Sequence, residues 1–330
     1  MNISRLKSIK TLGVVALFAV WIYFYLGDSA VTNSVVGSAM RFGMPLALAA
    51  MVGILCERSG IINIGIEGTM LVSAFTGFYV ASYSNSILLG LGCAIATGML
   101  TSLLHALMTI NWKMDQIIAG TIINILASGL TSFLYKAGRT IPNTWPIFDV
   151  PLLSKIPLIG QPLFSQAGPI QYFGIILIPF IWVMLYKTRW GLRTRSVGEN
   201  PGSADTAGIS VTRMRMLNVI LGGAIGGLAG AFLSLELVSS FAKDFTAGAG
   251  FTALALMIFG RWNPLGAFAA AIMFGLAQAV TTQFQLSGVN IPNQFVNMLP
   301  YVLTILILAI SAGKVRPPAA AGAPYEKEKA

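Results

Sequence analysis

Met216-Leu-Asn-Val-Ile-Leu-Gly-Gly-Ala-Ile-Gly-Gly-Leu-Ala-Gly-Ala-Phe-Leu-Ser-Leu-Glu-Leu-Val238 decides the fold. An apolar helix needs about 20 residues to cross the hydrocarbon of a bilayer, and this stretch has the length and composition to do so. Its single ionisable residue, Glu236, lies near one end, where a carboxylate reaches the interface. Asn218, Gly222, Gly226, Gly230 and Ser234 recur at four-residue spacing, with Gly223 and Gly227 beside them. Residues four apart share a helix face, so one side of this helix is nearly bare backbone. In lipid such a face reads as close helix–helix packing.

Working outward, comparable apolar stretches fall at 11–27, 35–55, 61–83, 87–110, 116–135, 170–186, 247–260, 264–283 and 295–312. The stretch at 247–260 is short, so it is either tilted into the next or only partly spanning. The whole composition agrees. Of 330 residues, 55% are hydrophobic and 10% charged, against roughly 25% charged in soluble domains. Too little charge is present to cover a water-facing surface, which excludes a soluble enzyme, a disordered regulator and a nucleic-acid binder. Cys56 and Cys93 give neither metal spacing nor a disulfide framework. The expected fold is all-α: a polytopic membrane helical bundle of about ten transmembrane helices, forming a single domain over 1–330.

The net charge of +10 is explained by where the basic residues sit. With the amino terminus inside, only Arg41, Lys136, Arg139, Lys155 and Lys243 of the 21 basic residues face outward. Lys/Arg excess marks cytoplasmic loops, so both termini are expected in the cytoplasm, with a short tail at 313–330. The first stretch ends in Trp21-Ile22-Tyr23-Phe24-Tyr25, unsuited to a small-residue cleavage site, and reads as an uncleaved anchor.

Two loops stand out. The outer loop 136–169 holds six prolines and Trp145, and is either a docking surface or a stiff cap over helix ends. The cytoplasmic loop 187–215 contains Gly198-Glu-Asn-Pro-Gly-Ser-Ala-Asp-Thr-Ala-Gly-Ile209. Asn200 suits an N-cap, Pro201 the first helical position, and Gly208 the left-handed residue after a helix end. Ser203, Ala204 and Asp205 fill the interval, predicting a helix of about two turns outside the bilayer. So short a helix is unstable alone and must pack on something, either this chain or a cytoplasmic partner. Otherwise the loop is a basic segment that only sets topology.

Polar groups within the spans need reasons, because each is costly in hydrocarbon. Gly60-Ile-Ile-Asn-Ile-Gly-Ile-Glu-Gly68 puts Asn63 and Glu67 four apart on one helix face, in a segment thinned by three glycines. A polar, broken helix start is how transport sites are often built; the other reading is a bond that holds neighbouring helices. The 116–135 stretch carries Gln116, Gly120, Asn124 and Ser128 at four-residue spacing. Gly120 and Ser128 suit packing, and Asn124 suits a pathway, since a mid-span amide needs a partner. His105 lies in an apolar run as a packed or loop-edge residue. No phosphate-binding G-x-x-x-x-G-K-[ST] motif and no zinc-protease H-E-x-x-H motif occur. So few charges suit a neutral polar solute, and uphill transport would draw its energy from another subunit. The competing class is a stand-alone secondary transporter using Glu67 as its ion-coupling acid.

Gly60-Ile-Ile-Asn-Ile-Gly-Ile-Glu-Gly-Thr-Met-Leu71, Gly198-Glu-Asn-Pro201 with Ala207-Gly-Ile209, and Gly260-Arg-Trp-Asn-Pro-Leu-Gly266 together resemble permease subunits of bacterial ABC importers. The branch they resemble covers branched-chain amino acids, simple sugars and nucleosides. Amino acid permeases tend to read Asn-Phe-Ala-His-Gly after the first glycine and sugar permeases Asp-Leu-Ser-Val-Gly. The sequence Asn63-Ile-Gly-Ile-Glu67-Gly68 is similar instead to nucleoside members, as is the tail with Leu299-Pro-Tyr301, Pro317-Pro318 and Ala323-Pro-Tyr325. The resemblance implies a non-enzymatic, multi-pass permease in the cell membrane for nucleosides or related neutral solutes, with simple sugars next. Asn63, Glu67, Gln116 and Asn124 stand as pathway candidates from their place within the spans, and the resemblance implies Asn200–Gly208 as the coupling helix. The implied partners are cytoplasmic ATPase subunits, a second and non-identical permease, an extracellular solute-binding protein or lipoprotein, and membrane lipid. The resemblance also implies no cofactor in this chain, with ATP and Mg held by the ATPase.

Overall fold

The computed structural model describes residues 27–141, 145–151, 160–165, 167–286 and 316–326, with the single positions 154, 156, 298 and 302. The expected spans at 11–27 and 295–312 lie almost wholly outside the described residues, as do Leu299-Pro-Tyr301, Pro142, Lys155 and Pro157. Among the described residues every regular element is a helix, and one isolated bridge pairs Phe148 with Ala167.

The long helices are α1 (Ser29–Arg58), α2 (Ile66–Ser84), α3 (Ile87–Ala106), α4 (Gln116–Leu134), α6 (Pro169–Lys187), α9 (Val211–Ala231) and α11 (Pro264–Leu286). The short ones are α5 (Gly160–Phe164), α7 (Arg189–Glu199), α8 (Pro201–Thr206) and α10 (Ala249–Phe259). π-Helical turns extend α3 over Leu107–Asn111 and α9 over Phe232–Leu237. Six described helices are long and apolar enough to cross a membrane: Val31–Arg58, Ile87–Asn111, Gln116–Leu134, Pro169–Lys187, Val211–Leu237 and Pro264–Gln285. α2 has the length but carries Glu67, Thr69, Ser73, Thr76 and Ser82, and α10 has 11 residues.

α1 is the central post. Of its most apolar window 89% is buried, against 22% for α3 and 28% for α4. Met44, Leu48, Met51, Ile54 and Leu55 of α1 are shut inside by α9, α10 and α11. α3 and α4 form an outer wall that exposes Leu88, Leu100, Ile118, Ile125 and Phe133. A contiguous apolar exterior of this kind suits hydrocarbon and not water.

The glycines of α9 do what their spacing implies. A methyl on Gly223 would strike the Gly98 carbonyl of α3, and one on Gly227 would lie 2.5 Å from the Ala94 carbonyl. Gly222 and Gly226 turn instead to Val52 of α1 and Thr69 of α2. α9 thus has two bare stripes against different neighbours, and backbones approach where side chains are absent.

One expected span is corrected. Residues 61–65 are not helical, and the helix begins only at Ile66. Asn63 and Glu67 therefore do not share a helix face. The chain leaves α1, turns at Gly60 with φ of +90°, and crosses as an open segment before α2 starts.

Candidate functional site

Buried backbone outside a helix needs partners for its polar groups. Here α4 supplies them. Gln116 Oε1 accepts from the Ile62 N–H at 2.6 Å, and Asn124 Oδ1 accepts from the Gly68 N–H at 2.8 Å. Asn124 Nδ2 donates to the Ile64 carbonyl at 3.1 Å. Between them Gly120 meets the loop without a side chain; a methyl there would sit 2.8 Å from Gly65 N. The four-residue row Gln116, Gly120, Asn124 is thus the rail that holds residues 62–68. Ser128, the next in the row, donates to Asp244 at 2.9 Å. Asn63 is 1% exposed; its Nδ2 faces Cys56 Sγ at 3.7 Å, and its Oδ1 has no partner among the described residues.

The acids nearby cap helices. Glu67 accepts from the Thr246 hydroxyl at 2.6 Å, from Gly248 N–H at 2.8 Å and from Gly250 N–H at 2.6 Å, at the start of α10. No side chain of α10's own segment caps that end, so its exposed N–H groups and positive end receive a carboxylate from α2. Glu236 does the same for α6, accepting from Ile170 N–H at 2.7 Å and Gln171 N–H at 3.0 Å. Both carboxylates meet the partial positive charge of helix N-termini. For Glu236, expected to reach the interface, the structure adds this cap. His105 is buried, as a packed residue would be.

At one end of the bundle, α7 and α8 lie outside the long helices. α8 has the predicted boundaries. Asn200 Oδ1 accepts from Ser203 N–H at 3.0 Å, Pro201 opens the helix, and Gly208 turns out of it with φ of +79°. Ala204 points inward, 1% exposed, against Val197, Val211 and Met214. Ser203, Thr206 and Ala207 face outward. Beside α8 a cleft of about 370 Å³ is lined by Trp190, Arg193, Ile209, Arg213, Met214 and Leu217.

Sequence reasoning missed α7, whose Gly191 and Gly198 read as loop. Both glycines are there for contact. A methyl on Gly191 would strike the Leu185 carbonyl, and one on Gly198 the Arg58 carbonyl. It also missed the junction that the 260–266 motif builds. Arg261 and Trp262 adopt positive φ between α10 and α11. Trp262 Nε1 donates to Glu57 at 2.5 Å, and Arg58 Nε donates to the Trp262 carbonyl at 3.1 Å. Segments 57–68, 198–209 and 260–266, far apart in sequence, thus converge on the lower end of α1. The signal for the Glu67 cap was present: an apolar helix start after Thr246-Ala-Gly248 with no capping side chain of its own.

A helical membrane protein with a clamped break and an externally mounted short helix now has a family. Residues 35–308 match the family described as "Branched-chain amino acid transport system / permease component". The chain belongs to this permease family. The permease is similar to the "Nucleoside ABC transporter permease protein NupC" of Lactococcus lactis subsp. cremoris, 39% identical over 89% of this chain and 97% of the relative. It is 38% identical to the "Guanosine ABC transporter permease protein NupQ" of Bacillus subtilis, over 91% of this chain and 98% of the relative. The "Putative glucose ABC transporter permease protein TsgC13" of Haloferax volcanii is 34% identical over 80% of this chain and 87% of the relative. No solved structure matches the permease. It is a multi-pass membrane protein, a transport component and not an enzyme.

Proposed function

We propose that the permease is the membrane subunit of an ATP-driven importer that carries nucleosides across the cell membrane. The observation that carries this reading is likeness over nearly full length to NupC and NupQ, named for nucleoside and guanosine transport. In it the chain crosses the bilayer about ten times with both termini cytoplasmic, as its basic residues direct. α8, through Asn200, Pro201, Ser203, Ala204, Asp205 and Gly208, is the coupling helix seated on a cytoplasmic ATPase subunit. That subunit holds ATP and Mg. A second, non-identical permease completes the pathway, and an extracellular solute-binding protein or lipoprotein delivers the solute.

The mechanism follows from how α8 is mounted. A six-residue helix has little stability of its own, so it moves as a unit with whatever it packs on, here α7 and the start of α9. ATP-driven closure of the motor displaces that unit between two discrete arrangements. The open segment 61–65 is the nearest part of the membrane body that bends without breaking helical hydrogen bonds. Gln116, Asn124 and Glu67 frame the pathway by holding that segment and α10. Asn63, buried with an amide oxygen unpartnered among the described residues, is the group that movement of this segment would offer to a neutral polar solute.

Co-purification of an ATPase subunit, together with ATP-dependent uptake of radiolabelled guanosine by the reconstituted complex, tests the reading. Uptake of glucose and not of guanosine makes this a sugar permease, the alternative that likeness to TsgC13 favours. Uptake that survives ATP depletion and collapses with an uncoupler makes it a secondary transporter.

A further inference from the structure

The carboxy-terminal segment 316–326 is laid across the junction below α1. Ala320 N–H donates to the Gly198 carbonyl of α7 at 2.9 Å, and Gly322 N–H donates to the Gly60 carbonyl at 3.2 Å. Ala319 N–H reaches Glu199 Oε2 at 3.3 Å. Tyr325 packs on the cluster of Val197, Ala204, Val211 and Met214 that seats α8. Lys113, just before α4, pairs with Glu326 at 2.5 Å. One eleven-residue segment thus touches the helix before α8, the seat of α8, the turn at Gly60 and the approach to Gln116.

Arg215 stands at the centre of these contacts. It is 2% exposed, and no carboxylate pairs with it among the described residues. Its charge is instead met by carbonyls from two sides: Nε donates to Ser59 at 3.2 Å and Nη1 to Ala323 at 3.0 Å. A buried cation needs such acceptors, so Arg215 binds the tail to the end of α1. The fit is close at backbone level. A methyl on Gly60 would lie 2.8 Å from Arg215 Nη2 and 3.2 Å from the Ala320 carbonyl. Gly322, with φ of +82°, turns the tail where a methyl would meet Ile62 at 3.0 Å.

We infer that segment 316–326 is a strap that makes α7–α8, the turn at 59–60 and the open segment 61–65 move together, with Arg215 as its positioning residue. Without the strap, the bonds that Ala320 and Gly322 donate, and the one that the Ala323 carbonyl accepts from Arg215, are gone. Displacement of α8 is then absorbed at Gly198 and Gly60 and does not reach the segment held by Gln116 and Asn124. The inference rests on the proposed importer reading and assigns to the tail a part in its coupling.

The test uses the full complex of both permeases, the ATPase and the solute-binding protein in nanodiscs and proteoliposomes. Full-length complex comes first: if it neither hydrolyses ATP nor takes up guanosine, the importer reading has failed and the strap is not at issue. With that established, a chain stopped after Arg316 is expected to assemble and to keep basal ATP hydrolysis. Its stimulation by guanosine-loaded binding protein and its uptake are expected to fall about five-fold or more, the low end of ordinary coupling between sites. The exposed pair gives a second handle that leaves the folded core alone. Glu326→Lys lowers stimulation, and adding Lys113→Glu restores it. Full stimulation and uptake by the truncated complex overturn the inference. So does a parallel fall of basal and stimulated hydrolysis with the amount of assembled complex, which marks the tail as a stabiliser only.

Discussion

The Thr246 hydroxyl donates to the Glu67 carboxylate at 2.6 Å across 179 positions of chain. With the N–H groups of Gly248 and Gly250 on the same carboxylate, the bond fastens the start of α10 to the start of α2. A carboxylate that accepts from three groups of one helix start is suited to holding that helix end.

Glu67→Gln separates the two uses of an acid. The amide keeps one acceptor oxygen and turns an NH2 group toward a backbone donor, leaving a buried N–H unpaired at about 1–3 kcal/mol. The purified complex should melt at a lower temperature, with uptake falling in step. Unchanged melting with abolished uptake would assign Glu67 to the solute or a coupling ion.

Asn124→Leu removes both bonds that hold the open segment, to Gly68 N–H and Ile64 carbonyl. Gln116→Leu removes one, to Ile62 N–H. Each unpaired buried group costs about 1–3 kcal/mol, so Asn124→Leu should destabilise more than Gln116→Leu. Thermal melts of the two variants in one detergent check the order; equal loss would mean that the Asn124 donor bond contributes nothing.

Two glycine substitutions should have opposite signs. At Gly98 a methyl strikes the Gly223 carbonyl and lies 2.7 Å from Gly227 Cα, backbone that cannot rotate aside. Gly98→Ala should cost about 1–3 kcal/mol as an overpacked contact. At Gly129 a methyl meets nothing within 4 Å, and Ala there should stabilise by about 0.4–1 kcal/mol through the unfolded chain. Melting temperatures moving in the same direction would refute the close approach of α3 and α9.

Asn200→Ala strips the cap of α8, an effect of about 0.5–2 kcal/mol on the helix. Because α8 has one turn and a half to lose, the loss should appear as weaker solute stimulation of ATP hydrolysis with assembly intact. Asn200→Asp, which keeps the acceptor, should recover it. Ala204→Pro should be more severe, since it deletes the Ala204 N–H bond to the Asn200 carbonyl at 3.1 Å and reshapes a buried contact. Wild-type stimulation in Ala204→Pro would remove α8 from the coupling path.

Much of this was legible because it is local. Apolar length marked α1, α3, α4, α6, α9 and α11, and small-residue spacing marked the packing faces of α9. Asn200, Pro201 and Gly208 marked both ends of α8, since capping is read from side chains within a turn of the boundary. The open segment at 61–65 was misread as helix because its backbone partners, Gln116 and Asn124, come from more than 50 positions away. α7 was missed because its glycines serve contacts with Leu185 and Arg58 that spacing does not reveal.

By itself the sequence determined that this is a helical membrane protein, which stretches are apolar enough to sit in lipid, and where its short outer helix begins and ends. Those properties depend on solvent transfer and on hydrogen bonds between near neighbours. Tertiary structure decided that Asn124 and Gln116 serve as clamps, which acids cap helices other than their own, and that the Arg58 end of α1 collects three distant segments. The reason is that a buried polar group takes its role from the partner that folding brings to it, and those partners lie on other helices.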